Sequence, residues 1–225
     1  METPILTPMD MNSSVYEPAE DSFLLLDALE LDLDTFLTSR SQDPILVLEV
    51  GCGSGILSTS IAKVLKDKNS YAPCVFSIDI NPEATLLTKT NALLNGLDDF
   101  IIQPILLDGP NSAPKCFREP FDLIVCNPPY VPIQPGENSE DSKSGLLEKS
   151  WSGGPDGNEF ITPFLSNVGQ MLRLDGVLYL LLSSWNNPDW LNDEIAKSNG
   201  LQGTLLIKRT AGRERLSIWK FVKIA

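Results

Sequence analysis

The chain reads as an α/β domain built on a mostly parallel sheet. Three observations predict it. Apolar runs of strand length alternate with helix-periodic segments, a glycine-bearing turn joins the first of those runs to a helix, and the last two runs stand too close for a helix between them. With 225 residues the chain is long enough to bury a full core, and its length suits one domain better than two. We read 1–15 as a polar N-terminal tail and 16–225 as a single domain.

The elements follow in order. Ser22 to Leu37 predicts an amphipathic helix, with Phe23, Leu24, Leu26, Leu29 and Leu33 among its apolar positions. Ile45–Val50 is an apolar run of buried-strand length, and Gly55–Lys66 after it has helical spacing at Ile56, Leu57, Ile61, Val64 and Leu65. Next come a strand at Cys74–Asp79, a helix at Pro82–Asn95, and strands at Ile101–Leu107 and Phe121–Cys126. A helix over Glu159–Leu172, a strand over Gly176–Leu182 and a helix over Pro188–Ser198 continue the alternation. Strands near Thr204–Arg209 and Leu216–Val222 then predict an antiparallel hairpin. One segment breaks the spacing: Val131–Gly157 carries three prolines and five glycines with little apolar periodicity. Loops of that length inside a compact domain are usually functional or disordered. Ligands in open α/β sheets bind beyond the carboxyl ends of the strands, where this segment begins, so we read 131–157 as an active-site loop and substrate lid. For the polar stretch Glu137–Lys143, a disordered surface insertion is an equal reading.

Composition narrows the function. Seventeen basic against thirty acidic residues leave a net charge of −13, which repels phosphate backbones unless a basic patch is hidden in it. No such patch is visible, so direct nucleic-acid binding is not expected. No apolar stretch reaches the roughly 20 residues of a membrane span, and no charged n-region precedes an apolar core, so a cytoplasmic protein is expected, with a nuclear fraction left open. The chain has no histidine, which removes Ser-His-Asp and Cys-His catalysis and His-ligated metal sites. Its four cysteines, Cys52, Cys74, Cys116 and Cys126, form no C-x-x-C pair, so no metal is expected. Cys126 is read as a small buried strand residue rather than a nucleophile.

Two motifs carry the chemistry. Glu49-Val50-Gly51-Cys52-Gly53-Ser54-Gly55 spaces its glycines G-x-G-x-G, not G-x-G-x-x-G, and sits at a strand-to-helix crossing where a ligand can approach backbone free of Cβ atoms. Asp79 ends the next strand, where a short carboxylate can accept both hydroxyls of a ribose. Asn81 and Pro82 after it are read as the N-cap and first residue of the following helix, leaving Asp79 for the ligand. Asn127-Pro128-Pro129-Tyr130 closes the apolar run Phe121–Cys126. On its own it reads better as a strand-ending turn. With the glycine turn it points to a planar nitrogen held by its two N–H groups, the Asn127 oxygen and the Pro128 carbonyl accepting and Tyr130 stacking.

Tyr16-Glu17-Pro18-Ala19-Glu20-Asp21-Ser22, the glycine turn, Asp79-Ile80-Asn81-Pro82, Asn127–Tyr130 and Trp151-Ser152-Gly153-Gly154 together resemble, in order, the class I S-adenosylmethionine-dependent protein glutamine methyltransferases. The likeness is greatest to the eukaryotic and archaeal branch that modifies the Gly-Gly-Gln motif of class I translation termination factors. The Asn-Pro-Pro-Tyr motif alone is shared with DNA adenine-N6 methyltransferases. The resemblance implies a Rossmann-like, seven-stranded sheet and S-adenosylmethionine as cofactor. It places Ser22, Glu49 and Gly51 at the methionine moiety, with Gly53 in the same turn, Asp79 at the ribose and Asp108 at the adenine. Gly109 stands where the family usually shows a larger apolar residue. It places Asn127, Pro128 and Tyr130 at the reacting amide, bordered by Trp151 and Gly153. It also implies a small zinc-binding activator protein as obligate partner, for which the apolar strand Ile101–Leu107 is a candidate edge. An adenine-N6 or protein lysine methyltransferase, or a cofactor-binding module without catalysis, are the alternatives.

Overall fold

The computed structural model describes residues 1–10, 13–39, 44–68, 73–117, 121–133, 142–212 and 214–224. Seven strands form one sheet in the order β3-β2-β1-β4-β5-β7-β6. They are β1 (Leu46–Val50), β2 (Cys74–Asp79), β3 (Ile102–Leu106), β4 (Phe121–Cys126), β5 (Leu172–Ser183), β6 (Leu201–Ala211) and β7 (Glu214–Lys223). The first five run parallel, and β7 is antiparallel to both β5 and β6. The expected hairpin is therefore present, inserted with its second strand inward.

The order follows from the burial of each run. All six residues of β4 are buried, as a central strand covered on both faces requires. Strand β3, at one edge, keeps only Ile102 fully buried. The helices fall into two sets. Helices α1 (Glu20–Ser39), α2 (Ile56–Lys68) and α3 (Pro82–Leu94) adjoin one another, and α4 (Gly109–Cys116) adjoins α6 (Ile161–Val168), which adjoins Leu191–Ala196. In α1 the buried stripe is Leu24, Leu25, Ala28, Leu29 and Leu33, while Phe23 faces outward.

Several elements differ from expectation. Helix α4 was not foreseen, because its eight residues include Pro110 and Pro114. Pro110 sits in the first turn, where proline is tolerated, but Pro114 lies inside the helix, and neither gives an apolar periodicity to detect. Helix α5 (Ser142–Trp151) lies inside the segment read as a loop, and residues 134–141 of that segment, most of the polar stretch 137–143 among them, lie outside the described residues. Helix α6 stops at Val168, and β5 begins at Leu172 rather than Gly176, because Phe121 pairs with Leu172 across a register shift. The segment 188–199 is not one α-helix: it changes pitch from α at Pro188–Trp190 to π at Leu191–Ala196 and 3₁₀ at Lys197–Asn199.

The N-terminal tail is docked rather than loose. Ile5 and Thr7 bond through their backbone N–H groups to Asn95, which caps the end of α3, and Asn91 within it at 2.9 and 2.8 Å, and Ser14 bonds the Glu83 carboxylate. Polar residues suffice here because α3 presents amide side chains in register with the passing strand of backbone.

Candidate active site

A cavity of about 420 Å³ opens beyond the carboxyl ends of β1, β2 and β4. That is a volume suited to a nucleoside-sized ligand. Strand pairing places its parts. Val50 is opposite Cys126 in the β1–β4 ladder, so the turn after each strand leaves the sheet side by side. A Cβ on Gly51 would come within 3.7 Å of the Asn127 carbonyl. The glycine turn and the Asn-Pro-Pro-Tyr segment thus share one wall.

At the glycine-turn end, Gly53 has φ +51° and a Cβ there would meet nothing within 4 Å, so the turn offers bare backbone to the cavity. Thr88 and Asn91 of α3 hold the turn from behind by donating to the Gly53 and Ser54 carbonyls. Asp79 lines the cavity, with Oδ2 accepting from Gly53 N–H at 3.0 Å and Oδ1 from Asn81 N–H at 2.9 Å. Its carboxylate is thus part of the turn as well as open to a ligand. Burial raises its pKa, opposed by those N–H groups. Asn81 caps α3 by accepting from Glu83 N–H, with Pro82 in the first turn, as expected.

Glu49 is 1% exposed and bonded by Ser58 N–H at 3.0 Å and by the Ser58 hydroxyl. Burial, with a smaller contribution from Asp79, pushes its pKa up to about 8, so it is mostly protonated at neutral pH in the free protein. Ser22, at the start of α1, is buried and donates its hydroxyl to Asp21. Asp108 lines the far side of the cavity and accepts from the Asn111 side chain. Beside it, a Cβ on Gly109 would stand 2.5 Å from Val50, so glycine here makes room for the Val50 side chain, while the Phe160 ring, 3.6 Å from that position, forms the neighbouring wall. Phe160 was not foreseen from sequence.

At the other end, Asn127 donates through Nδ2 to Asp21 at 3.1 Å, while its Oδ1 is buried with no hydrogen-bond partner among the described residues. A buried acceptor without a donor costs about 1–3 kcal/mol, which a bound N–H would recover. Pro128 and Tyr130 line the cavity beside it. Tyr130 donates its hydroxyl to Glu214 at 3.1 Å, which fixes the ring, and its pKa is raised by burial first and then by Asp21 and Glu214. Tyr16 also hydrogen-bonds Asp21. Asn186, fully buried, donates to the carbonyls of Tyr130 and Gly157 at 3.0 and 2.9 Å and so fastens the motif to the turn that follows α5.

Trp151 lines the cavity, as do Leu146 and Lys149 of the same helix. Gly153 does not. It packs against Gly157, where a Cβ would lie 2.6 Å from the Gly157 carbonyl, and its N–H donates to Val131. Its smallness serves a close crossing of backbones behind the wall, so of the two residues expected to border the substrate only Trp151 lines the cavity. Asp21, Glu214 and Asn186 were missed as site residues because each reaches the motif only through folding.

Comparison with known proteins fits this geometry. A model of ribosomal protein L11 methyltransferases matches residues 28–129. The chain is 38% identical over 211 residues to human methyltransferase HEMK2, covering 94% of this chain and 91% of that protein. It is 34% identical over 235 residues to the eRF1 methyltransferase catalytic subunit mtq2 of Schizosaccharomyces pombe, covering all of this chain and 96% of the relative. This chain belongs to the HEMK2/Mtq2 family of methyltransferases. Among solved structures it is similar to Mtq2 in the E. cuniculi Mtq2–Trm112 complex, with a TM-score of 0.62 at 25% identity over 93% of this chain and 99% of that one. The fold is the Rossmann-like methyltransferase fold that the resemblance implies, and S-adenosylmethionine is the family's cofactor. The residues present fit that group: bare backbone at Gly53, carboxyl groups at Glu49 and Asp79, and an apolar wall at Phe160.

Proposed function

We propose that this chain transfers a methyl group from S-adenosylmethionine to the side-chain amide nitrogen of the glutamine in the Gly-Gly-Gln motif of a class I translation termination factor. The observation that carries the reading is the buried Oδ1 of Asn127 at the cavity wall, which has no hydrogen-bond partner among the described residues. It is an acceptor waiting for an N–H, and a primary amide brings two. The names of the fission-yeast and E. cuniculi relatives, which methylate eRF1, support the same substrate class.

An amide nitrogen is a poor nucleophile because its lone pair is delocalised into the carbonyl. Catalysis must therefore come from position. In our reading Asn127 Oδ1 and the Pro128 carbonyl accept the two amide N–H groups, Pro128 holding its carbonyl rigid through its fixed φ. Tyr130, its hydroxyl fixed on Glu214, stacks on the amide plane, and Trp151 borders it. Glu49, Gly51, Gly53 and Ser22 hold the methionine part of the cofactor, Asp79 the ribose, and Asp108 with Phe160 the base. The bound cofactor supplies a methyl group on a cationic sulfonium, so no general base has to act before attack.

The same reading includes an activator partner. Strand β3 is an edge of the sheet, and Leu106 in it is 58% exposed; Phe100, just before it in the chain, and Leu86, Leu93 and Leu94 of α3, the helix in contact with β3, are exposed as well. An apolar edge of that kind invites pairing by another chain. We propose a small zinc-binding activator there, residues 16–225 acting as one catalytic domain, and a cytoplasmic setting with a nuclear fraction. Labelled-methyl transfer should mark a termination factor and not its Gln→Ala variant, histone or duplex DNA. Label on DNA or histone in its place would overturn the reading.

A further inference from the structure

We propose that Asp21 is a positioning residue that decides which end of the Asn127 amide faces the substrate. The inference rests on the function proposed above, in which Oδ1 of Asn127 accepts a substrate N–H. Asp21 is the second residue of α1 and 4% exposed, while Asn127 follows β4, 106 positions away. Asn127 Nδ2 donates to Asp21 Oδ2 at 3.1 Å.

A carboxylate only accepts. If the Asn127 amide turned over, Oδ1 would face Oδ2, acceptor against acceptor. Nor can Asp21 swing away. Its other oxygen accepts from Ser22 N–H at 2.6 Å and from the Ser22 hydroxyl at 3.2 Å, and the Tyr16 hydroxyl also hydrogen-bonds the carboxylate. Four donors from three other side chains and one backbone group thus hold a single carboxylate against one end of one amide. The consequence is the buried acceptor left over at the other end.

The charge has a second effect. A carboxylate behind Nδ2 polarises the amide, which makes Oδ1 a stronger acceptor. A substrate nitrogen becomes more positive as it gains a methyl group, so an acceptor at its N–H strengthens as the transition state is reached.

The experiment uses the full chain, co-expressed with its activator, and reads methyl transfer to the termination factor together with cofactor affinity. Asp21→Asn is nearly isosteric but reverses the preference. The Ser22 N–H still needs an acceptor, so the new amide keeps its oxygen there and turns its NH₂ toward Asn127. Asn127 then rotates to accept it and presents Nδ2 to the substrate, donor against donor. Turnover should fall about 100-fold or more, the scale seen when one positioned transition-state donor or acceptor is lost, with cofactor affinity within about threefold. Asp21→Ala removes the constraint without reversing it and should be the milder variant. A scaffold residue gives the opposite order, the isosteric change being gentler.

On an Asn127→Ala background, Asp21→Asn should add less than about twofold, because the two act through one contact. Independent, multiplying effects, an Asp21→Ala at least as damaging as Asp21→Asn, or loss of cofactor binding in both Asp21 variants would each overturn the inference. An inactive Asn127→Ala beside a fully active Asp21→Asn overturns it alone. An active Asn127→Ala overturns the function proposed above, and this inference with it.

Discussion

The glycine-turn end of the cavity is built from neighbours in the chain, and the Asn127 corner from strangers. At the first end, Gly51 to Gly55 form one turn, Glu49 precedes it, and Asp79 reaches Gly53 across 26 positions between adjacent strands. At the second, Asn127 depends on Asp21 at 106 positions, Tyr130 on Glu214 at 84, and the Tyr130 carbonyl on Asn186 at 56. The first is a local device, set by strand, turn and helix. The second exists only when α1, β4, the end of β5 and the start of β7 have all arrived. Changes at the two ends should therefore separate binding from turnover.

The largest expected effect is Asn127→Ala. Turnover should drop by about 10²–10³-fold, as for other lost transition-state hydrogen bonds, with cofactor affinity unchanged by calorimetry. A parallel loss of cofactor affinity would erase the distinction between the ends.

Asp79→Ala should do the reverse. Removing a charge-assisted acceptor costs about 1.5–3 kcal/mol, so cofactor affinity should weaken by roughly 10- to 100-fold while saturating cofactor restores most turnover. Because Asp79 also holds Gly53 and Asn81, a modest fall in melting temperature should accompany it. Unchanged affinity would place the ribose elsewhere.

Two glycines sharpen the contrast. Gly157 has φ +76°, and a Cβ would stand 2.5 Å from the Tyr130 carbonyl and 2.6 Å from Asn186. Gly157→Ala should lower both melting temperature and turnover, and leave cofactor affinity close to normal. Gly53→Ala meets no atom within 4 Å, so its cost to the fold is the strain of a positive φ, about 1–2 kcal/mol, and its main effect should be on cofactor affinity. Equal profiles for the two variants in the same assays would contradict this division.

A separate effect, on stability rather than on binding or turnover, is that of pH. The Glu49 carboxyl is raised in the folded state from 4.5 to about 8, so the unfolded chain releases its proton first. Stability of the cofactor-free protein should fall as pH rises from about 5 to about 8 and level off above it. Glu49→Gln should flatten that slope in thermal melts taken across the range. A wild-type slope unchanged by the substitution would remove Glu49 as its source.

Most of the fold was legible because it rests on periodicity. Strands β2 and β4 occur where their apolar runs end, and α3 begins at the Asn81–Pro82 cap. What failed did so for want of period: α4 is short and carries two prolines, and α5 hides its apolar residues in a polar stretch. The site divides in the same way. Motifs written in consecutive residues, such as Gly51 to Gly55 and Asn127 to Tyr130, announce themselves, since a turn needs particular residues at particular spacings. Gly153 sits in such a motif yet serves backbone crossing, which spacing alone does not distinguish from ligand contact.

By itself, then, the sequence determined the strand-and-helix alternation, the glycine turn and the residue types at the reacting corner. Tertiary structure decided how those groups are aimed. Asp21 turns the Asn127 amide, Glu214 holds the Tyr130 ring, and Asn186 ties the motif to the turn after α5. The physical reason is that a hydrogen bond needs its partners within about 3 Å and suitably aligned. A chain brings residues 56 to 106 positions apart to that distance only by completing its sheet.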